Sequence, residues 1–201
     1  RVGILGNNGP IDPAGATKAS HFIQACSQSE IPLVFLQNTT GYMVGTEAER
    51  GGIVKHGSKM IQAVANAPVP KITVVVGGSW GAGNYGMCGR GLSPNFIFSW
   101  PNARVGVMGP EQAGTVLQII TQQKMERRGQ EVPQDFLDAM KAEVVKRLTP
   151  QTSALYGTAR LWDDGLIDPR DTRAVLSICL DTCAEAKLRD YGANTFGVAR
   201  P

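Results

Sequence analysis

Lys71-Ile72-Thr73-Val74-Val75-Val76-Gly77-Gly78-Ser79-Trp80-Gly81-Ala82-Gly83 decides how the rest of the chain is read. Its first six residues form a nearly unbroken β-branched run, the pattern of a strand covered on both faces in a parallel sheet. The glycines are expected to end that strand at Val76 and to open a turn, after which residues 84–88 read as a short helix. Buried strand, glycine turn and helix in that order are the unit of an α/β fold.

The unit recurs on the N-terminal side. Residues 2–5 are apolar, Gly6-Asn7-Asn8-Gly9-Pro10 closes them, and a helical pattern covers 14–28. Residues 32–36 predict a second strand, 38–45 a loop, and 47–65 one helix with Ile53, Met60, Ile61 and Val64 on its buried face. On the C-terminal side, 95–100 and 104–107 predict further strands, and Pro110 is suited to open a helix as its first residue. Helices are then expected over 111–128, 133–148, 152–161 and 171–188. Residues 191–201 lack periodicity and read as an extended tail lying on a neighbour. No repeat or linker divides the chain, so 1–201 is expected to be one domain.

Composition bounds the function. At 201 residues, 42% hydrophobic and 18% charged, the chain suits one globular core. No apolar run approaches the ~20 residues of a membrane helix, so a soluble protein with no membrane partner is expected. Net charge is +3, but the densest basic group, Lys124, Arg127 and Arg128, falls on a polar helix end, and nucleic acid is not an expected partner. The four cysteines include no CxxC pair, which favours a reducing compartment over a disulfide framework. Cys179 and Cys183 are one helical turn apart within the stripe of Val175, Leu176 and Ile178, so core packing is expected there and no metal. The opening Arg1-Val2-Gly3-Ile4-Leu5-Gly6 has no signal- or transit-peptide character and reads as a strand entered mid-protein, as in an excised domain.

Two glycine-rich turns carry the chemistry: Gly41-Tyr42-Met43-Val44-Gly45 and Gly81-Ala82-Gly83, each after a buried strand and before a helix. Missing side chains let a ligand approach main-chain N–H groups, which stabilise a developing oxyanion by about 3 kcal/mol per well-placed donor. Neither turn fits a nucleotide phosphate loop. From Ser79 through Gly91 there is no carboxylate or histidine, so the acid/base work of a hydratase has no candidate beside the second turn.

Three stretches carry a resemblance: 37–45, QNTTGYMVG; 77–90, GGSWGAGNYGMCGR; and 161–169, LWDDGLIDP. They resemble the β subunits of methylcrotonyl-CoA and geranyl-CoA carboxylases, and the similarity spans essentially the whole chain. The resemblance implies a crotonase-like α/β fold, and a carboxyltransferase in two halves of which this chain is the C-terminal, biotin-side half. It implies that the backbone amides of Ala82 and Gly83 hold the ureido oxygen of biotin, that Gly81, Gly41, Tyr42 and Gly45 line the cofactor site, and that Tyr85 faces the substrate. Short-chain branches of the family tend to carry an acidic residue at the position of Tyr85, so the branched or longer enoyl-CoA branch is favoured. Thr39-Thr40, Gly51-Gly52 and residues 196–200 lean toward geranyl-CoA. Implied with these are biotin carried on a partner, a coenzyme A thioester as substrate, an N-terminal half and a biotin carboxylase subunit as partners, a homo-oligomer, and a bacterial cytoplasm or mitochondrial matrix. A biotin-dependent decarboxylase subunit and a catalytically silent assembly module are the alternatives. Lys55, His56 and Lys59 read as a solvated helix face, His21 as a partly buried surface residue, and 162–165 as a helix end with Gly165 at its C′ position.

Overall fold

The computed structural model describes residues 1–189; the expected tail over 191–201 lies outside the described residues. A five-stranded parallel sheet is formed by β1 (Gly3–Gly6), β2 (Leu33–Thr39), β3 (Lys71–Trp80), β4 (Phe96–Ser99) and β5 (Arg104–Gly106). The order is β1-β2-β3-β4, with β5 pairing the far end of β3 beyond β4. β3 is therefore the spine of the molecule, carrying β4 along Ile72–Val75 and β5 along Gly78–Trp80.

Parallel strands need crossovers, and α1 (Pro13–Gln28) and α3 (Ile53–Asn66) supply the first two, packing side by side. Asp12 caps α1 by accepting the Gly15 N–H, and Pro13 opens the helix where a missing N–H costs nothing. Alternation on β2 sends Leu33 and Phe35 toward these helices, into a core with Ile23, Met60, Val64 and Met87. Val34 and Leu36 point the other way, against Ile72, Phe96, Phe98 and α8 (Thr172–Ala186), where Cys179 is buried among them. All four thiols are free and buried. Lys71, also buried, starts β3 and donates its ammonium to the Val64 carbonyl at 3.0 Å and the Leu92 carbonyl at 3.3 Å, tying the end of α3 to the sheet.

Three local expectations are revised. The helix expected over 47–65 is two, α2 (Thr46–Arg50) and α3, because Gly52 takes φ +83° and breaks the run. β3 does not stop at Val76: it runs through Gly77 and Gly78 to Trp80, since β5 and Thr39 supply partners beyond the apolar stretch. The helix expected over 152–161 is only α7 (Ala154–Thr158); the left-handed residue after it is Leu161, φ +59°, and Gly165 is no helix cap but offers its carbonyl to the Ser99 N–H.

The long helices α5 (Pro110–Glu126) and α6 (Gln134–Leu148) pack mainly on each other as a hairpin. Gly114 lets Lys141 cross closely. The hairpin leaves Val116, Leu117, Ile119, Ile120 and Phe136 exposed. Among the described residues no helix is long and apolar enough to cross a membrane.

Candidate functional site

The site is built where β2 and β3 end. Between Gln37↔Val75 and Thr39↔Ser79 the register shifts, so one residue of β2 faces three of β3. Asn38 absorbs the surplus: its carbonyl oxygen Oδ1 accepts the Gly78 N–H at 2.8 Å, and its Nδ2 donates to Asn8 Oδ1 at 2.7 Å. Gly77 lies so close against the Asn38 side chain that a Cβ has no room.

The two glycine turns meet each other there. A Cβ placed on Gly83 would lie 2.8 Å from the Gly41 Cα and 2.9 Å from Thr39 Oγ1, so only glycine fits at 83. Tyr42, next to Gly41, is partly buried. Its ring lies against Gly57 of α3 and Gly86 of α4 (Gly83–Gly86), its hydroxyl donates to the Gly57 carbonyl at 3.4 Å, and burial pushes its pKa up to about 12. Gly45, with φ +109° and open space around it, precedes α2 away from this contact.

Both turns leave backbone donors unpaired among the described residues, the first at Tyr42, Val44 and Gly45. In the first, the Gly41 N–H donates to Thr39 Oγ1 and the Met43 N–H to the Ile11 carbonyl. In the second, Gly81 takes φ +54° and donates to the Gly106 carbonyl, while neither the Ala82 nor the Gly83 N–H donates to any acceptor among the described residues. Ala82 is exposed and Gly83 buried. Carbonyls of both turn residues are engaged, by Tyr85 and Gly86 on Ala82 and by Met87 on Gly83. The turn thus has its carbonyls paired while the N–H groups of Ala82 and Gly83 stay free among the described residues.

Beside it is a cavity of about 470 Å³, within the usual size of small-molecule sites. Gly81, Ala82, Asn84 and Tyr85 form one wall, Val75, Ile97 and Val105 line it from the sheet, and Ser153, Gly157, Trp162 and Asp163 close the far side. Tyr85, half exposed, stacks over Gly91 at the rim. The ionic groups are committed elsewhere: Asp163 accepts the Thr158 hydroxyl, and Arg90 pairs with Asp164 at 2.9 Å, whose second oxygen takes the Ile97 N–H. Lys55, Lys59 and His21 are exposed, and His56 Nδ1 lies 2.9 Å from Thr17 Oγ1, all outside the cavity lining.

The far wall was missed by sequence reading, which took 162–165 as a turn. It arises because β5 leads, through the hairpin, to a chain segment that bridges back at Arg104↔Ser153 and Ser99↔Leu166. The Asn38, Gln37 and Asn84 contacts were missed as well. Their signal was present as two adjacent amides, Gln37-Asn38, in an otherwise apolar strand.

Comparison with known proteins gives this arrangement a family. The model of the carboxyl transferase domain matches residues 1–198. The chain is 52% identical over 200 residues to the probable methylcrotonoyl-CoA carboxylase beta chain, mitochondrial, of Drosophila melanogaster, covering 99% of this chain and 34% of that protein. It is 51% identical over 195 residues to the biotin-dependent 3-methylcrotonyl-coenzyme A carboxylase beta1 subunit of Mycobacterium tuberculosis, covering 97% and 37%. The crystal structure of the P. aeruginosa geranyl-CoA carboxylase beta subunit superposes with a TM-score of 0.89 at 60% identity, over 98% of this chain and 37% of that one. The chain spans about a third of the length of the curated relatives it matches. With a crotonase-like parallel sheet and a full-length match, this chain belongs to the carboxyl transferase domain family.

Proposed function

We propose that the chain forms the biotin side of a composite carboxyltransferase site, in which a carboxyl group passes from carboxybiotin to an enoyl-CoA of the 3-methylcrotonyl or geranyl type. The observation that carries the reading is the pair of successive, undonated N–H groups at Ala82, which lines the 470 Å³ cavity, and Gly83, buried just behind it. The lining fits biotin: two free donors suit a ureido carbonyl, and aliphatic residues suit an apolar bicycle. Carboxybiotin, when bound, supplies the activated carboxyl group and then a ureido nitrogen able to take a proton from the acyl thioester.

The protein's part is electrostatic and positional. Ala82 and Gly83 would hold the ureido oxygen where negative charge develops, and because their carbonyls are already paired the donors need no reorganisation. Gly81 provides the left-handed turn that clears the approach. Tyr85 at the rim would face the acyl group. Gly41 and Tyr42 act one step behind, as the surface on which the second turn rests, and Gly45 stands farther off. The remainder of the polypeptide, a biotin-bearing α subunit and the coenzyme A thioester complete the reading. Association of copies through the exposed apolar side of α5 and α6 belongs to it too; light scattering of Ile120→Asp with Phe136→Asp should show a smaller assembly. Buried free thiols suit a reducing compartment, either a bacterial cytoplasm or a mitochondrial matrix.

Ala82→Pro is the sharpest test. Ala82 has φ −65°, the value proline imposes, so the substitution deletes one donor and leaves the backbone in place. In the full-length polypeptide, biotin-dependent decarboxylation of 3-methylglutaconyl-CoA or carboxygeranoyl-CoA should fall about 10²- to 10³-fold. Full activity in a folded Ala82→Pro protein sinks the assignment of the donors.

A further inference from the structure

β2 sends two fully buried polar side chains, Gln37 and Thr39, toward the second turn. Thr39 packs against Gly83. Gln37 Nε2 donates to the Asn84 carbonyl at 3.3 Å, a carbonyl that also takes the Gly89 N–H at 2.7 Å. The Asn84 side chain, in turn, donates to Ser79 Oγ at 2.7 Å. Residue 84, immediately after Gly83, is therefore gripped by β2 through its backbone and by β3 through its side chain.

Gln37 does this at a cost. Its Oε1 is the buried side-chain oxygen that accepts no hydrogen bond among the described residues. A buried acceptor without a donor is a desolvation penalty that an apolar side chain of the same length would not incur. Stability alone thus gives no reason for an amide here. What an apolar replacement could not do is hold the Asn84 carbonyl.

We propose that Gln37 is a positioning residue for the reaction: by fixing the Asn84 peptide it sets the direction of the Ala82 and Gly83 N–H groups, without touching the ligand. The inference rests on the reading of those two amides as the donor pair for biotin. It is tested with Gln37→Met and Gln37→Glu in the full-length polypeptide, measuring melting temperature, kcat, and KM for the carboxylated acyl-CoA. Gln37→Met should melt at or above the parent temperature, while kcat falls about 10- to 100-fold at unchanged KM, the signature of donors displaced by a fraction of an ångström. Gln37→Glu keeps a donor only while neutral. Its activity should approach the parent's at low pH and fall as pH rises through its burial-raised pKa, a limb the parent protein lacks.

A Gln37→Met protein with unchanged kcat, or one that melts several degrees lower with kcat and KM changing together, overturns the proposal. Should that variant not fold, the Gln37→Glu pH limb decides, its presence supporting the proposal and its absence overturning it. Failure of the underlying reading shows separately, as full activity in Ala82→Pro, and takes this inference with it.

Discussion

The turns at 41–45 and 81–83 look alike in sequence, each glycine-bounded and set between a buried strand and a helix, yet they meet different neighbours. The first gives its Gly41 and Met43 N–H groups to Thr39 and Ile11, leaves those of Tyr42, Val44 and Gly45 without an acceptor among the described residues, and packs its half-buried ring against Gly57 and Gly86. The second spends its carbonyls and leaves two successive donors free. The difference is one of surroundings: Gly81 and Ala82 line the cavity, whereas Gly41 lies against Gly83 and Tyr42 against Gly57 and Gly86. A glycine pattern reports that backbone can come close to something, and the neighbours decide whether that something is a ligand or another turn.

The strongest way to break the comparison is at the contact itself. Gly83→Ala should cost about 1–3 kcal/mol of stability by overpacking against Gly41 and Thr39. It should also lower carboxyl transfer by roughly 10²-fold, because the donors move with the backbone; denaturant titration and turnover measure the two parts. Tyr42→Ala, which empties the space between Gly57 and Gly86, should cost about 3 kcal/mol in the same titration. Its loss of turnover should follow the loss of folded protein, as befits a support.

A gentler probe uses pH. Burial raises the Tyr42 hydroxyl to about 12 from about 10 and the Cys88 thiol to about 11 from about 9. The unfolded chain therefore loses these protons first as pH rises, and the stability due to the neutral buried forms, complete below pH 9, declines as pH climbs toward 12. Melting temperature should fall over that window, and Tyr42→Phe should flatten the upper part of the fall. The smallest effect is expected at Gly45→Ala, where φ +109° imposes backbone strain of about 1 kcal/mol but no neighbour is met. Its turnover should stay within about twofold of the parent's; a large loss would give the first turn a direct role and erase the distinction drawn above.

Much of the fold was legible because its signals are local. The β-branched run at 71–76, the periodicity of 14–28 and Pro110 at a helix start depend on neighbours in sequence, and the strands and helices stand where those signals put them. Motif resemblance also pointed to Ala82 and Gly83, whose N–H groups meet no acceptor among the described residues. What could not be read was what tertiary pairing decides. β3 continues through two glycines because β5 is there to receive it, and 152–161 stops being helical at Thr158 because Asp163 and Asp164 turn back to Thr158, Arg90 and β4. The second wall of the cavity needed the same long-range closure, and no local pattern announces it.

The surplus in β3 opposite Asn38 also decides how far the two strands run before they turn. Two residues set the mismatch, and because Ser79 regains a place opposite Thr39, at about 3.3 Å per strand residue they draw the second turn about 7 Å back from where an unbroken register would put it. Removing Gly77 and Gly78 would keep Ser79 opposite Thr39 but take away the Gly78 N–H that Asn38 accepts and the Gly78–Arg104 pair that helps join β5. The irregularity thus sets the ends of the two strands level with each other, which is what lets Gly83 meet Gly41.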